Sequence, residues 1–362
     1  MVATALAATG EDSPLVAQAI SAARSIDGFG VDVAATLSWC VEVGKSAPFI
    51  GYGRTRELWE LLAATAAVDV AAARMLEPHL DALSILRQAA SAFDHDSAFD
   101  KDNVCDGVGA DAESTWGVFA AEGAAGKTLV ARHSADGWRL NGTKPWCSLA
   151  THLTHALVTA SVDGGRQMFA VNLRDAGVRP HAGPWVARGL QNVVSADVDF
   201  HDVPAIPVGD AGWYLQRPGF AWGGISVAAC WWGAAAPLTD SLLGAAQSER
   251  ADQVALVHLG TVDEAMWSAR SVLVEAAGLI DDGGSAVIGE RLLANRVRGT
   301  VFSAATRALS EADAALGPLP LVADERHARR IADLHLYLRQ HHGVRDTERI
   351  GRALVEAAGE SQ

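Results

Sequence analysis

The chain is expected to be α+β and mainly α. An N-terminal helical domain (residues 1–113) leads into a central antiparallel β-barrel or sandwich (114–212), followed by a C-terminal four-helix bundle (213–362). Three observations predict this. Apolar residues recur at spacings of three and four up to about residue 110 and again from about 218, the period of a helix with one buried face. Between about 115 and 210 the segments shorten, turn β-branched and aromatic, and are separated by Gly, Asp and Asn. The chain has 362 residues, 49% of them hydrophobic, which is enough apolar material for a large core.

The elements follow in order. "SPLVAQAISAARSI" opens with Ser13-Pro14, a helix-start signal, and continues at helical spacing. "TRELWELLAATAAVDVAAARMLEPHLDALSILRQAASAF" is rich in Ala, Leu, Glu and Arg, and Pro78 is expected to divide it into two helices. "DHDSAFDKDNVCDGVGADAES" is polar and Gly-bearing and reads as a linker. "TLVARHS", "WRLNGTK", "HALVTASV", "RQMFAVNL", "VRPHAGP" and "SADVDFHDV" read as short strands, with hairpin turns at "SADG" and "SVDGG". In the last of these strands Val198, Phe200 and Val203 alternate with Asp197, Asp199 and Asp202, with one slip at the end. Four long helical segments beginning near residues 220, 255, 285 and 325 complete the pattern. No period of 20 to 50 residues repeats, which excludes a solenoid.

The bulk numbers exclude several function classes. A net charge of −14 repels phosphate backbones, and no basic stripe offsets it, so no nucleic-acid partner is expected. No apolar run reaches the roughly 18 residues of a membrane span. The N-terminus has neither a charged n-region nor a sustained apolar stretch, so no secretory signal is expected and the expected location is cytoplasmic. Cys40, Cys105, Cys147 and Cys230 are far apart without a CxxC pair, which points to inert thiols rather than a zinc site or disulfides.

One stretch asks for a chemical explanation. "GWRLNGTKPWCSLATH" (137–152) places a Trp, a Cys and a Ser straight after a Gly-bearing turn and a Lys. It resembles a hairpin of the acyl-CoA dehydrogenase family, Gly-aromatic-x-aliphatic-x-Gly-x-Lys-x-aromatic-x-Ser/Thr. "WGVFAAEGAAGKTL" is similar to that family's flavin-facing turn upstream. "VVSADVDFHDVPAIP" resembles its later strand, and "ALGPLPL" with "HARRIADLHLY" its closing region. The likeness runs over nearly the whole chain. It implies FAD as cofactor, an acyl-CoA or acyl-carrier thioester as substrate, and an electron-transfer flavoprotein or other acceptor as redox partner. It also implies a homodimer or homotetramer. By this resemblance Trp146 packs its indole on the flavin ring and Ser148 supplies a hydroxyl near the reactive ring nitrogen. Phe119 and Ala121 offer backbone contacts to the cofactor. Gly317 stands for one Gly of a pair that approaches a neighbouring subunit's cofactor, the second Gly being Pro318 here.

The family's catalytic Glu-Gly-Thr is missing. Counting on from Asp333 leads to His341 in "LYLRQHHGVRD", with Asp346 and Glu348 further along. A general base must reach the carbon acid it deprotonates, which leaves three readings open. Another residue serves, with Glu249, Asp252, Asp263 and Glu264 as positional candidates. His341 or His342 does the proton work, as in flavin monooxygenases of the same fold, because imidazole titrates near neutrality. Or the chain is a non-catalytic partner subunit of a heteromeric enzyme. Arg74, Glu77 and His79 read as salt-bridged surface or domain-interface groups. Arg250 is all that is retained of an Arg-x-x-x-Phe-Gly cofactor segment.

Overall fold

The computed structural model describes residue 6 and residues 13–93, 101–122, 126–249 and 251–360. Arg250 lies outside the described residues, as do residues 123–125 of the expected flavin-facing turn.

The chain begins with α1 (Pro14–Arg24), α2 (Val33–Gly44), α3 (Thr55–Val68), α4 (Val70–Phe93) and α5 (Lys101–Val108). α1 starts as its sequence predicts, with the Ser13 hydroxyl accepting from the Val16 N–H. The division expected at Pro78 falls instead at Asp69. Its backbone is extended, and its carboxylate accepts from the Ala72 N–H at 2.9 Å, capping α4. Pro78 stays inside α4, which buries most of one long face from Val70 to Ala89. The proline removes only the donor that would have reached the Arg74 carbonyl. The expected linker also needs correcting, because residues 101–108 of it form α5. Val104 and Val108 bury against Met168 and Val208, so packing supplies what helix propensity does not.

The β-module consists of β1 (Trp116–Phe119), β2 (Leu129–Ser134), β3 (Gly137–Ser148), β4 (His155–Val162), β5 (Gly165–Asn172), β6 (Val178–Pro180) and β7 (Ser195–Val208). The strand order is β1-β4-β2-β3-β7-β5, and a further β4–β5 pairing closes it into a ring. The module is not purely antiparallel as expected, since β1 and β2 both pair with β4 in parallel. Gly142 is obligatory: its φ is +121°, and a Cβ there would lie 2.1 Å from the Thr128 carbonyl oxygen. The slip in the Val198/Phe200/Val203 alternation is a bulge, with Asp202 at φ +54° opposite a register shift between Leu140 and Gly142.

Then come α6 (Trp213–Gln216), α7 (Pro218–Ala246), α8 (Gln253–Asp281), α9 (Ser285–Ile288), α10 (Glu290–Leu316), α11 (Leu319–Ala323), α12 (Glu325–Tyr337) and α13 (Val344–Glu360). The fourth long segment is therefore two helices. They are parted by a 3₁₀ turn (Leu338–Gln340) and the run His341–Gly343, where Gly343 has φ +60°. α3 crosses α7 so closely that a Cβ on Gly233 would lie 2.1 Å from the Ala63 carbonyl oxygen. The Trp59 indole N–H donates to the Ser226 hydroxyl across the same contact. The Arg330 guanidinium closes the end of α3, donating to the carbonyls of Ala66, Ala67 and Val68 and to that of Ala234 on α7. Among the described residues no helix is long and apolar enough to cross a membrane.

Candidate functional site

The end of β3 is built under strain. Its pairing with β7 shifts register between Lys144 and Cys147, and the surplus residues set Trp146 at φ +59°. A bulky side chain rarely adopts that backbone conformation. The indole that results is 61% exposed. Ser148, two residues on, shares a 2.7 Å hydrogen bond with the Ser195 hydroxyl. It also accepts from Arg74 Nη2 of α4 at 3.2 Å. Lys144 points the other way, donating to the Thr159 carbonyl and hydroxyl at 2.8 and 2.7 Å. Burial holds its ammonium below the usual lysine range. Beside it Ala121 and Pro145 line a hollow of only about 10 Å³, which holds no ring. Phe119 is core, facing inward at the end of β1 with 2% exposure.

A larger feature, which no sequence signal marked, lies beyond Arg74, at Glu77 rather than at Ser148. A cleft of about 610 Å³ opens between α4, α6, α7, α10 and α13, and Glu77, Asp81, Arg217, Arg298 and Asp346 are among its lining. Glu77 and Asp81 lie one turn apart on α4, and among the described residues neither carboxylate accepts a hydrogen bond. Their partners stand off at 3.6 Å (Arg74 Nη1 to Glu77) and 3.9 Å (Arg217 Nη2 to Asp81). Burial pushes Glu77 up to about 7 against the pull of Arg74, and burial raises Asp81 as well. Arg74 Nη1 is buried with no hydrogen-bond partner among the described residues. Arg298, by contrast, is fully engaged: it donates to the carbonyls of Gly224 and Gln340 and lies 4.8 Å from the Trp231 ring centroid. The Tyr214, Phe220 and Val227 side chains give the cleft an apolar wall, and Arg291, Arg349 and His342 stand at its edge. The spacing of Arg74 and Glu77 reads in sequence as an ordinary surface pair. Only the helices laid across it show that it is buried.

His341 sits at the break between α12 and α13, but its ring does not line the cleft. It stacks on Phe302, with centroids 4.1 Å apart and planes at 13°, and its Nδ1 accepts from the Gly343 N–H at 3.1 Å. Burial lowers its basicity. His342 does face the cleft, its Nδ1 3.4 Å from Asp346 Oδ1. Burial alone would raise the Asp346 carboxyl, but the His342 N–H, both imidazoles and Arg298 hold it below the usual range. Of the positional candidates, Asp252 caps α8. Glu249, Asp263 and Glu264 are exposed and none lines the cleft. Gly317 caps α10 at φ +63°. It lies fifteen residues beyond Phe302, about 22 Å along the helix, so within one chain it is remote from His341. His79 accepts from the Trp116 N–H at 3.3 Å and ties α4 to β1. Arg74 and Glu77, expected as interface groups, are the two that join the strand tip to the cleft.

No protein-family model matches the chain, and no curated protein matches its sequence. Solved structures do match over nearly its full length. Butyryl-CoA dehydrogenase from Megasphaera elsdenii is 16% identical, with 95% of this chain and 99% of that one covered and a TM-score of 0.74. KijD3 in complex with FMN and dTDP-3-amino-2,3,6-trideoxy-4-keto-3-methyl-D-glucose is 18% identical, with 94% and 91% covered and a TM-score of 0.73. The dibenzothiophene monooxygenase TdsC from a Paenibacillus species is 16% identical, with 95% of both chains covered and a TM-score of 0.68. Helices, β-module and helices in this arrangement define the acyl-CoA dehydrogenase fold, and the chain has that fold.

Proposed function

We propose that this chain is a flavin-dependent oxidoreductase that dehydrogenates an acyl thioester between its α and β carbons, with Glu77 as the general base. One observation carries the reading. The buried Glu77 carboxylate accepts no hydrogen bond from the described residues, is raised by burial toward 7, lines the cleft, and lies 3.6 Å from the arginine that holds Ser148. A carboxylate tuned toward 7 by burial suits proton abstraction at neutral pH.

The residues present fit a flavin. Trp146 offers an exposed aromatic plane, Ser148 a hydroxyl, and Arg74 a buried N–H without a partner. Bound there, a flavin supplies a two-electron acceptor. Trp146 and Ser148 would hold its ring, and Glu77 in its ionised form would take the substrate proton. The apolar wall of Tyr214, Phe220 and Val227 suits an acyl group. Arg291 and Arg349 at the edge suit a phosphate-bearing carrier, on a chain whose net charge is otherwise −14. The FMN bound to KijD3 favours a flavin in general. The choice of FAD rests on Gly317, whose open backbone at the end of α10 could meet an adenylate arm across a subunit interface. Val254, Val257 and Trp267, exposed on α8, favour a homo-oligomer. An electron-transfer flavoprotein or a comparable acceptor would take the electrons away.

A second reading, flavin-dependent oxygenation, is favoured by the imidazole pair around Asp346, with His341 at the position where many members of the family the sequence resembles carry the Glu of Glu-Gly-Thr. One experiment separates the two. The purified protein is loaded with FAD or FMN and titrated anaerobically with a panel of acyl-CoA esters. Bleaching by an ester in the wild type, lost in Glu77→Gln at equal flavin occupancy, is the expected result. Reduction only by an added NADH-dependent reductase, followed by oxygen-dependent turnover, rules out the dehydrogenase in favour of the oxygenase.

A further inference from the structure

We infer that Arg74 is a positioning residue that sets the proton affinity of Glu77 and ties it to Ser148 at the strand tip. The inference rests on the flavin reading above. The Arg74 guanidinium is divided between two clients on different elements. Nη2 donates to the Ser148 hydroxyl of β3 at 3.2 Å, while Nη1 is buried without a hydrogen bond, 3.6 Å from the Glu77 carboxylate. Its position is fixed from a third side by the Tyr337 ring of α12, 5.9 Å away. A guanidinium cannot give up its proton, so its charge is constant and only its sharing can change.

The other groups facing Glu77 leave Arg74 as the principal counter-charge. Asp81, on the same helix, opposes ionisation, and so do the Cys230 thiol of α7 and the Tyr214 and Tyr337 hydroxyls when they are charged. Burial keeps those three neutral. Arg298 of α10 favours ionisation but ranks behind Arg74, and its two terminal nitrogens already serve the carbonyls of Gly224 and Gln340.

It follows that a proton on Glu77 releases the charge of Arg74 toward Ser148. Whatever draws that charge toward Ser148 in turn makes Glu77 easier to protonate. The coupling is reciprocal, as any linkage between two sites must be. Proton capture by the base and electron gain beside Ser148 thus favour one another, although Glu77 itself need not touch the cofactor.

The test is a pH titration of the visible absorbance of the flavin-loaded protein, with circular dichroism as a check on folding. The wild type is expected to show a spectral transition near neutrality that Glu77→Gln abolishes. Arg74→Gln moves it upward by about one pH unit, a tenfold change in proton affinity, while Arg74→Lys moves it by well under half of that. Ser148→Ala leaves the guanidinium wholly to Glu77 and moves the transition down. This gives a shift of opposite sign should Arg74→Gln not fold. A transition at the wild-type pH in both Arg74→Gln and Ser148→Ala, or none in a wild type that holds flavin, overturns the inference alone. A wild type that takes up neither FMN nor FAD overturns the flavin reading together with it.

Discussion

Glu77→Gln is expected to make the protein more stable at pH 8 and useless as a dehydrogenase. Glu77 is 8% exposed, and burial raises its carboxyl from 4.5 to about 7. An acid raised in the folded state binds its proton more tightly there than in the unfolded chain. Stability therefore falls as the pH climbs from about 4.5 to about 7, and above that the full cost persists. At about 1.4 kcal/mol per pH unit this interval amounts to roughly 3 kcal/mol. A neutral amide of similar shape removes that cost at pH 8. The attraction of Arg74 is already contained in that raised value, so losing it adds no separate cost. An unfolding entropy of about 2.1 cal/mol/K per residue converts roughly 3 kcal/mol into a Tm rise of about 4 °C for a chain of this length. At pH 4.5 the carboxyl is protonated in the folded state and about half protonated in the unfolded chain, and most of the difference disappears. Calorimetry of both proteins at pH 8 and pH 4.5 measures this directly. A variant no more stable than the wild type at pH 8, or equally shifted at both pH values, would show that Glu77 is not a strained, ionisable group.

Three further outcomes are expected. Burial lowers the His79 imidazole to about 4 from 6.5, so the unfolded chain binds the proton first. The stability His79 contributes is complete above about pH 6.5 and is lost as the pH falls toward 4. Urea unfolding of His79→Asn at pH 6.5, 5 and 4 should show a flatter acid limb than the wild type, and a parallel limb would refute it. Trp146→Ala with Ser148→Ala should lose at least tenfold in flavin affinity, read from visible absorbance after gel filtration, with little change in the Tm of the flavin-free protein because the indole is 61% exposed. Full occupancy in that double variant would remove Trp146 and Ser148 from the cofactor site. With a thiol reagent under native conditions only the half-buried Cys105 should react, since burial encloses Cys40, Cys147 and Cys230 and raises their thiols. Rapid labelling of a second thiol would mean that one of those three regions opens.

The β-module and the long helices were legible because their signals are local. Val198, Phe200 and Val203 alternate in sequence and are all fully buried, and Ser13-Pro14 caps the helix it announces. What sequence hid depended on neighbours. Pro78 carries an intrinsic cost of about 3 kcal/mol in a helix, yet the apolar face of α4 outweighs it, and the break goes to Asp69, which can cap. α5 carries Asp106 and Gly107, poor helix formers, and exists because β5 and β7 receive Val104 and Val108. The position His341 was found by counting residues, but counting could not tell that the ring turns onto Phe302 while His342 faces the cleft.

Glu77 shows the same limit most sharply, and it also shows why the site lies where it does. A protein selected for stability alone would have no reason to keep a carboxylate buried at a cleft with no donor among the described residues, a buried guanidinium N–H without an acceptor among them, and an indole in a left-handed backbone conformation. Each of these costs free energy. Other groups of these kinds lie elsewhere, Trp231 Nε1 and Thr239 Oγ1 without a hydrogen bond and Leu190 at positive φ among them, but these three are joined: Trp146 is two residues from Ser148, Ser148 accepts from Arg74, and Arg74 faces Glu77 at the cleft. Strain gathered on one continuous path from a surface to a cavity is what a binding site imposes, because a ligand in contact with those groups offsets the cost when it arrives. Two other cations in the same protein behave differently. Lys144 donates to Thr159, Arg330 closes the end of α3, and neither is left wanting a partner. The proposal of Glu77 as base and Arg74 as its partner thus rests on burial and geometry, and not only on the family to which the strand tip is similar.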